Sequence, residues 1–403
     1  MKILHTSDWH LGHTLYNYDR TAEQQAFLRQ LTRIVTEEQP DAMVVSGDIY
    51  HYSSPAAATQ KMYTDAMLNI HQACPGMAIV VTAGNHDSSS KLEIDSSLWQ
   101  HFGLNVVGNI ERTAEEVNLD KHIIEVKNGQ ETKGYVIAVP HVYPQNFPLL
   151  DTETPRDQRQ ARFFQALLDE VKKRNTAQLP VVLMAHLSIE GSDRSGHDES
   201  IGGIEYVPLS AMGEGYDYLA LGHIHCPQDI KGSHHHARYC GTPLPVSFDE
   251  TYPHSISIIE LEKGAEPQIS TREIENPIPL VTLPHDPTPF EDALKLLEEY
   301  PEEKPAYLRL NVLTKGYLPP DCNEKASNAA KGKACKYCYI KTTRERQADT
   351  DESKPISIQE MQEMSPLEIA RLYYRETEGE EMDPELCQLM ETVMQKVKSK
   401  NNS

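Results

Sequence analysis

Polar segments follow the apolar runs of this sequence at several points, and the clearest is Thr-Ala-Gly-Asn-His-Asp at positions 82–87. It comes directly after Ala78-Ile79-Val80-Val81, an apolar run that predicts a buried strand. A turn needs only one polar residue. An amide, an imidazole and a carboxylate side by side on a glycine corner are groups that bind metals or move protons. The segment therefore favours a fold in which a strand delivers a functional site at its end.

Strands and helices alternate along the chain up to about residue 275, and the second half of this region is richer in strands. Apolar runs predict strands at Lys2–Ser7, Ala42–Ser46, Met77–Ala83, Leu104–Val107, His122–Val126, Gly134–Val139, Val181–Ala185, Tyr218–Leu221, Ala237–Tyr239 and Ser255–Leu261. Helical spacing of apolar residues predicts helices at Arg20–Gln39, Ala56–His71 and Arg156–Arg174. This order predicts a layered α/β architecture with mixed sheets.

Residue types that bind metals recur at the carboxyl ends of these predicted strands, which is where sites assemble in α/β folds. The segments are Asp8-Trp9-His10, Gly47-Asp48-Ile49-Tyr50-His51, Gly84-Asn85-His86-Asp87, Ala185-His186 and Gly222-His223-Ile224-His225. The Asp-x-His segment or the Gly-Asp turn alone is usually turn chemistry, and His186 alone is more often a core histidine. Asn-His-Asp after glycine is a stronger signal, and Gly-His-x-His places both imidazoles on one side of an extended chain. Together the segments offer Asp, His and Asn ligands without cysteine, a set that suits manganese or a similar divalent ion. They are enough for two ions that share one carboxylate.

The composition changes after about residue 275, where five prolines fall between Pro277 and Pro289. A small β-α-β-α-β pattern follows, and Thr350–Pro355 predicts a second linker. In the tail, Ser365-Pro366-Leu367-Glu368 predicts a capping box with proline at the first helical position, and Asp383-Pro384 predicts the start of another helix. We therefore expect three parts, 1–274, 275–350 and 351–403, of which the last is a helical pair that docks a partner.

Composition narrows the cellular setting but does not identify the substrate. The chain carries 38 basic and 60 acidic residues, a net charge of −22, which by itself argues against broad affinity for nucleic acids. Acidic residues that hold metal ions are neutralised locally, however, so the balance does not exclude a nucleic-acid substrate. Seven cysteines at scattered spacings favour a reducing compartment. With no signal peptide and no apolar run long enough for a membrane span, a cytoplasmic protein is expected.

These motifs resemble the calcineurin-like metallophosphoesterase superfamily and, within it, the SbcD subunits of bacterial SbcCD nucleases, which are related to the nuclease of the double-strand-break repair complex. The resemblance includes Met1–Gly12, Thr82–Ser88, Ile201–Val207, Tyr216–Pro227, Tyr239–Glu250 and Met364–Tyr374. It spans nearly the whole chain and is weakest from about 275 to 350. It implies an α-β-β-α fold with two mixed sheets, a small α+β domain that caps DNA, and C-terminal helices that dock an SbcC-type ATPase.

The resemblance also implies a role for each site residue. One ion would be held by Asp8, His10, Asp48 and His225, and the other by Asp48, Asn85, His186 and His223. His86 would contact the scissile phosphate or protonate the leaving oxygen, His51 would orient the substrate, and Asp87 would orient His86. Mn²⁺ is the expected metal. Two such ions neutralise the charge that accumulates on a phosphodiester under attack.

The resemblance implies a DNA nuclease subunit, with double-strand 3′–5′ exonuclease and single-strand or hairpin endonuclease activity. It would act with the ATPase in DNA repair, recombination and replication, as a homodimer within a heterotetramer. Two alternatives remain open: a phosphatase or phosphodiesterase acting on small molecules, and a scaffold that has lost catalysis. The small domain and docking helices argue against the first alternative, and the intact ligand set argues against the second.

Two other motifs are expected to be structural. Cys335-Lys336-Tyr337-Cys338 has the spacing of half a zinc site, but no matching pair follows, and it falls in a predicted strand. His234-His235-His236 lies in a predicted hairpin and is expected to form a solvated turn.

Overall fold

The computed structural model describes residues 1–112, 117–151, 153–195, 206–316, 318–344, 365–378, 382–383 and 386–390. Met1–Arg344 forms one compact unit and Glu345–Ser403 a second. The first unit contains strands β1 (Lys2–Thr6), β2 (Ala42–Ser46), β3 (Ala78–Thr82), β4 (Leu104–Val107), β5 (Ile123–Asn128), β6 (Glu131–Ala138), β7 (Val181–His186), β8 (Ser188–Ile189), β9 (Tyr206–Val207), β10 (Tyr218–Gly222), β11 (Gln228–Asp229), β12 (Ala237–Tyr239), β13 (Ser255–Glu260), β14 (Gln268–Glu273), β15 (Leu280–Thr288), β16 (Tyr307–Thr314) and β17 (Lys336–Arg344). Its α-helices are α1 (Thr21–Glu38), α2 (Ala57–Ala73), α3 (Ser89–Leu92), α4 (Ser96–Trp99), α5 (Arg159–Arg174), α6 (Phe290–Glu298) and α7 (Cys322–Ala330).

Two six-stranded sheets form the body of this unit, in the orders β14-β13-β1-β2-β3-β4 and β11-β12-β10-β7-β6-β5. Strands β1 to β4 run parallel, whereas β13 pairs antiparallel with β1. In the second sheet β6, β7, β10 and β12 run parallel, and antiparallel β5 and β11 lie at its edges. The two mixed sheets expected from the sequence are confirmed.

The cores explain the layering. Val44, Val80, Val182 and Ala220, from strands of both sheets, belong to one buried cluster, so the sheets pack face to face. The outer face of the first sheet packs against α1 and α2, and that of the second against α5. Because each central strand is covered on both faces, its sequence is apolar throughout rather than alternating. The result is an α-β-β-α sandwich whose parallel strands end in polar loops.

A third sheet of three parallel strands, β15-β16-β17, is interleaved with α6 and α7 and has a core of its own. This matches the β-α-β-α-β pattern read from the sequence. Cys322 and Cys335 are buried in that core, and Cys338 packs against a neighbouring cluster around Tyr307. All seven cysteines are free. The boundary placed near residue 275 stays a prediction, because residues 1–344 cluster as one unit.

Some elements carry no sequence signal. The strand β14 reads Gln-Ile-Ser-Thr-Arg-Glu and is mostly exposed at a sheet edge, so it lacks the apolar alternation that would have predicted it. His234–His236 lie in the connection between antiparallel β11 and β12, which agrees with the predicted hairpin. Among the described residues, no helix combines the length and apolar character that crossing a membrane requires.

In the second unit a helix runs over Pro366–Glu378. The Ser365 backbone N–H donates to Glu368 Oε2 at 2.7 Å, and the Glu368 N–H donates to Ser365 Oγ at 3.3 Å, which is the reciprocal pair of the predicted capping box. Residues 386–390 are also helical. The predicted linker 350–355 and the last helix beyond residue 390 lie outside the described residues.

Candidate metal centre

The five polar segments meet at one end of the sandwich. Loops after β1, β2 and β3 bring their side chains from the first sheet, and β7 and β10 bring theirs from the second. The seven residues predicted as ligands are thereby brought together, and they are called the strand-end cluster below: Asp8, His10, Asp48, Asn85, His186, His223 and His225. Most are almost completely buried, although they come from positions more than 200 residues apart.

Several cluster residues have left-handed backbone conformations. Asp8, His10 and Asp48 have φ values of 53°, 45° and 52°, and that of His223 is 99°. Such values are uncommon for residues other than glycine and mark positions held by their surroundings. Here the first two loops hold each other, since the Asp8 N–H donates to the Gly47 carbonyl and the His10 N–H donates to the Asp48 carbonyl, both at 3.0 Å.

The glycines of the motifs are required by close approach. A Cβ on Gly84 would lie 2.1 Å from Asp48 Oδ1, and one on Gly222 would lie 1.8 Å from the Ser46 carbonyl oxygen. A Cβ on Gly47 would lie 2.2 Å from Nδ1 of His186. The pairs Gly-Asp, Gly-Asn and Gly-His are therefore packing requirements that let three loops converge on one small volume.

Asp48 lies at the centre of the strand-end cluster. Its Oδ2 is 3.8 Å from His10 Nε2 on one side and 3.4 Å from His186 Nε2 on the other. On the first side, His10 Nε2 lies 3.3 Å from His225 Nε2, and atoms of Asp8, His10 and His225 lie within 4.8 Å of one another.

On the second side, Asn85 Oδ1 lies 2.9 Å from His186 Nε2 and 3.0 Å from His223 Nδ1. The contacts therefore fall on two sides of Asp48, and ligand atoms of Asp8, Asp48 and His186 also lie within 4.8 Å of one another, so Asp8 is close to both sides.

Asp8 is disfavoured as an anion in the cluster, whereas Asp48 and His186 stabilise each other's charged forms. Burial, with repulsion from Asp48, raises the pKa of Asp8 to about 6. Burial opposes ionisation of Asp48 as well, but His186 and the other imidazoles hold the pKa of Asp48 well below its usual range. Burial disfavours the charged form of His186, yet Asp48 and Asp8 raise the pKa of that imidazole to about 9. Two carboxylates and converging imidazole nitrogens in a buried site, all oxygen and nitrogen donors, fit divalent cations.

Hydrogen bonds on the far side of two rings orient them toward the cluster. Nδ1 of His186 donates to the Ser46 carbonyl at 2.8 Å, and Nδ1 of His225 donates to Glu250 Oε1 at 2.9 Å. Both leave Nε2 facing inward, the arrangement found around metal-binding histidines. Glu250 was not predicted. It is the last residue of the Tyr239–Glu250 segment that supports the resemblance, and its place in that segment is the sequence signal that could have identified it.

His51 and His86 stack beside the cluster with ring centroids 5.3 Å apart. Nδ1 of His86 donates to the His51 carbonyl at 2.9 Å, and the His86 backbone N–H donates to Asp48 Oδ1 at 2.9 Å. Burial and the nearby His86 lower the pKa of His51 to about 4, so the His51 ring is neutral near pH 7. Ligand atoms of His10, His51 and His86 also lie within 4.8 Å of one another, so geometry alone also permits a three-histidine site.

The role predicted for Asp87 is wrong. Its carboxylate accepts backbone N–H groups of Ile49 at 3.1 Å, Tyr50 at 2.9 Å and Gly84 at 2.9 Å. The ring of His86 is oriented by the His51 carbonyl instead. Asp87 therefore ties the loop after β2 to the loop after β3, because backbone N–H groups in that buried corner need an acceptor.

A pocket of about 360 Å³ lies over the cluster. Besides cluster members, its walls include His13, Tyr16, His51, His86, Val246 and Ser247. Neither His13 nor Tyr16 was predicted, since neither stands at a strand end. His51 and His86 therefore line the same pocket as His10, Asp48, Asn85, His223 and His225.

Comparison with known proteins agrees with this geometry. The model of the calcineurin-like phosphoesterase family matches residues 1–227, and a second, described as the type 5 capsule protein repressor C-terminal domain, matches residues 276–378. The SbcD subunit of the SbcCD nuclease from Rhodobacter capsulatus is 33% identical over 74% of this chain and 75% of its own length. The SbcD subunit from Escherichia coli K12 is 28% identical over 95% and 94%. The one from Bacillus subtilis is 32% identical over 66% and 68%.

The family model covers more than half of the chain, and the similarity to SbcD subunits extends well beyond the phosphoesterase motifs. The resemblance drawn from the motifs is confirmed. The chain belongs to the calcineurin-like phosphoesterase family and, within it, to the SbcD subunits.

Proposed function

We propose that this protein is the nuclease subunit of a DNA-processing complex and hydrolyses phosphodiester bonds with two divalent ions. The strand-end cluster carries the proposal, because it gathers oxygen and nitrogen atoms around the Asp48 carboxylate beneath an accessible pocket. The nuclease names of the relatives support DNA as the substrate. Exonuclease and hairpin endonuclease activities, in DNA repair, recombination and replication, belong to the same proposal.

The ligand roles follow the two sides of Asp48. Asp8, His10, Asp48 and His225 would hold one ion, and Asp48, Asn85, His186 and His223 the other, with Mn²⁺ the expected metal. When bound, such a pair of ions activates water and stabilises the charge of an in-line displacement at phosphorus. The Ser46 carbonyl and Glu250 accept hydrogen bonds from Nδ1 of His186 and His225, which would leave Nε2 of each ring for an ion.

Two histidines would act on the substrate. Because Nδ1 of His86 is committed to the His51 carbonyl, Nε2 is the nitrogen left to contact the phosphate or give a proton to the leaving oxygen. His51 is neutral near pH 7, which suits it to orient the phosphate by hydrogen bonding rather than by charge.

The remaining regions would serve DNA and a partner. We assign DNA capping to residues 275–350 and docking of an SbcC-type ATPase to residues 351–403. In the second unit Ile369 and Tyr373 stand one helical turn apart and are 39% and 68% exposed, and Leu389 is 61% exposed. Exposed apolar residues at helical spacing suit a helix that binds a groove. A homodimer within a cytoplasmic heterotetramer completes the proposal.

Cleavage of DNA tests the proposed function directly. The Mn²⁺-loaded full chain, with and without an SbcC-type ATPase, is given linear duplex DNA, hairpin DNA and p-nitrophenyl phosphate. We expect DNA cleavage that EDTA abolishes, and a chain ending before Ser365 that keeps its metal but no longer co-purifies with the ATPase. Turnover of the small ester alone, with intact DNA even in the presence of the partner, would establish a small-molecule phosphatase instead.

A further inference from the structure

Tyr16 occupies an unusual position on the pocket wall. It lines the pocket and is 46% exposed. Leu15 and Tyr18 exchange two backbone hydrogen bonds, 3.1 and 2.9 Å long, so Tyr16 and Asn17 form the tip of a two-residue hairpin. Their φ values of 47° and 68° are those of a type I′ turn, which favours asparagine and glycine. A bulky aromatic residue at the first of these positions is strained, and such strain collects at functional sites.

The ring of Tyr16 is already stacked on one face. It lies 4.6 Å from the ring of Tyr339 in β17, with an interplanar angle of 23°. Tyr339 is held in turn by Phe248, which packs edge-on at 5.8 Å, and by Arg309, whose Nη1 donates to the Tyr339 hydroxyl at 3.1 Å. The Arg309 guanidinium also lies 5.2 Å from the Phe248 ring centroid and is fixed by Asp249. The pocket wall therefore ends in a rigid, aromatic surface supported from behind.

We propose that Tyr16 is a stacking platform for the nucleobase beside the phosphate that is cleaved. This inference rests on the proposed nuclease function and adds a determinant of substrate choice. Tyr16 shares the pocket with His51 and His86, so a nucleotide whose phosphate reaches the cluster brings its base to the same walls. Every base has a π-face, which makes stacking tolerant of sequence.

Rigidity makes this surface effective and restricts what it accepts. Because Tyr339 holds the Tyr16 ring before substrate arrives, little side-chain entropy is lost on stacking. A base inside a duplex has both faces covered by its neighbours, so only a terminal or unstacked nucleotide can use the platform. The platform therefore favours strand ends, single strands and hairpin loops over the interior of a duplex.

The test compares two single-stranded oligonucleotides that differ only by an abasic nucleotide beside the bond that the wild-type protein cuts. With the Mn²⁺-loaded full chain, we expect kcat/KM to be about tenfold higher when the base is present. Tyr16→Asn suits the left-handed backbone and removes the ring, so it should bring the ratio close to one by slowing only the intact strand. Tyr16→Phe should keep the wild-type ratio.

Control variants distinguish failure of the platform from failure of the proposed nuclease function. Metal content and thermal midpoint should match wild type in Tyr16→Asn, and Tyr206→Ala should keep the wild-type ratio, since Tyr206 is 42% exposed but lies outside the pocket lining. Equal cleavage of both strands by the wild-type protein, or an unchanged ratio in Tyr16→Asn, would overturn the platform. No cleavage of any DNA by the wild-type protein would instead overturn the proposed function.

Discussion

Buried charge is arranged differently at the strand-end cluster and at the junction between the sandwich and the three-stranded sheet. At the junction, Arg20 and Glu23 are 2% and 1% exposed, and the two side chains approach to 3.9 Å. Arg20 Nη1 donates to the Pro245 carbonyl at 2.6 Å, and the Tyr307 hydroxyl donates to Glu23 Oε1 at 2.6 Å. The junction pairs unlike groups. The cluster also contains the unlike pair Asp48 and His186, but it brings the carboxylate of Asp8 near that of Asp48 and the ring of His10 near that of His225.

The difference separates groups that stabilise the fold from groups kept for a ligand. A buried pair with partners of opposite charge costs several kcal/mol when one member is removed. A buried carboxylate without such a partner costs stability until a cation arrives. Substitutions in the cluster should therefore reduce activity with little loss of stability. Substitutions at the junction should reduce stability with little loss of activity in the folded protein.

The largest effect is expected at the shared carboxylate. Asp48→Asn keeps the size of the side chain but removes the charge that both proposed ions share. We expect DNA cleavage to fall by roughly 10³-fold, about 4 kcal/mol in the barrier, together with loss of bound metal. Initial rates and metal analysis measure this. The exposed control Asp65→Asn should stay at wild-type values, and a fully active Asp48→Asn protein would contradict the shared role of this carboxylate.

At the junction, Arg20→Met should cost stability without removing the metal. Among the described residues, the substitution leaves the buried Glu23 side chain with the Tyr307 hydroxyl as its one partner, so we expect a loss of about 3 kcal/mol in the free energy of unfolding. Urea titration measures it. Lys61→Met, which breaks the exposed pair with Asp65, should cost less than about 1 kcal/mol. If Arg20→Met lost more metal than the unfolded fraction of the protein explains, the junction would also contribute to metal binding, and the proposed difference between the regions would be wrong.

Asp8→Asn should stabilise the metal-free protein. Asp8 titrates near 3.8 when exposed and near 6 in the fold, so the unfolded chain loses its proton first as the pH rises. The fold is thereby destabilised between these values, and the full cost, roughly 3 kcal/mol, is present above pH 6. With EDTA present, the variant should exceed wild type in unfolding free energy at pH 7, and the gap should shrink toward pH 4. A variant less stable at every pH would refute this.

The smallest effect is expected behind the cluster, at Glu250. Glu250→Gln weakens the hydrogen bond that orients His225 but leaves the inward-facing Nε2 in place. We expect metal affinity to fall by about 10- to 100-fold while saturating metal restores cleavage. Titration of activity against free Mn²⁺ shows the shift. An unchanged midpoint would mean that His225 is oriented by its packing alone.

The cluster could be predicted from short stretches of sequence, because each ligand segment is a short motif at the end of its own predicted strand. Parallel strands bring their carboxyl ends to one edge, so Asp48 and Asn85 could be placed together without knowing any contact between them. The same argument extended to His186 and His223 in the second sheet, where the repeated pattern of apolar run and polar end carried the prediction.

Contacts that bridge distant parts of the chain left no such pattern. Tyr16 meets Tyr339, and Arg20 meets Tyr307, only after the three-stranded sheet docks on the sandwich. Asp87 shows the same limit within one motif. Its position next to His86 suggested that it contacts the His86 ring, but its carboxylate instead accepts hydrogen bonds from backbone N–H groups of two loops. Residue type and spacing predicted which side chains lie in the cluster, but not which hydrogen bonds and ring contacts form between them.

Counting bound metal ions decides whether the strand-end cluster holds a pair of cations. After equilibrium dialysis against Mn²⁺, elemental analysis should find two ions in each wild-type chain, fewer in Asp48→Asn, and still two in His86→Gln, which should have lost most DNA cleavage. A wild-type chain that binds no ion or only one, or a His86→Gln chain that loses an ion, would contradict the two-ion assignment.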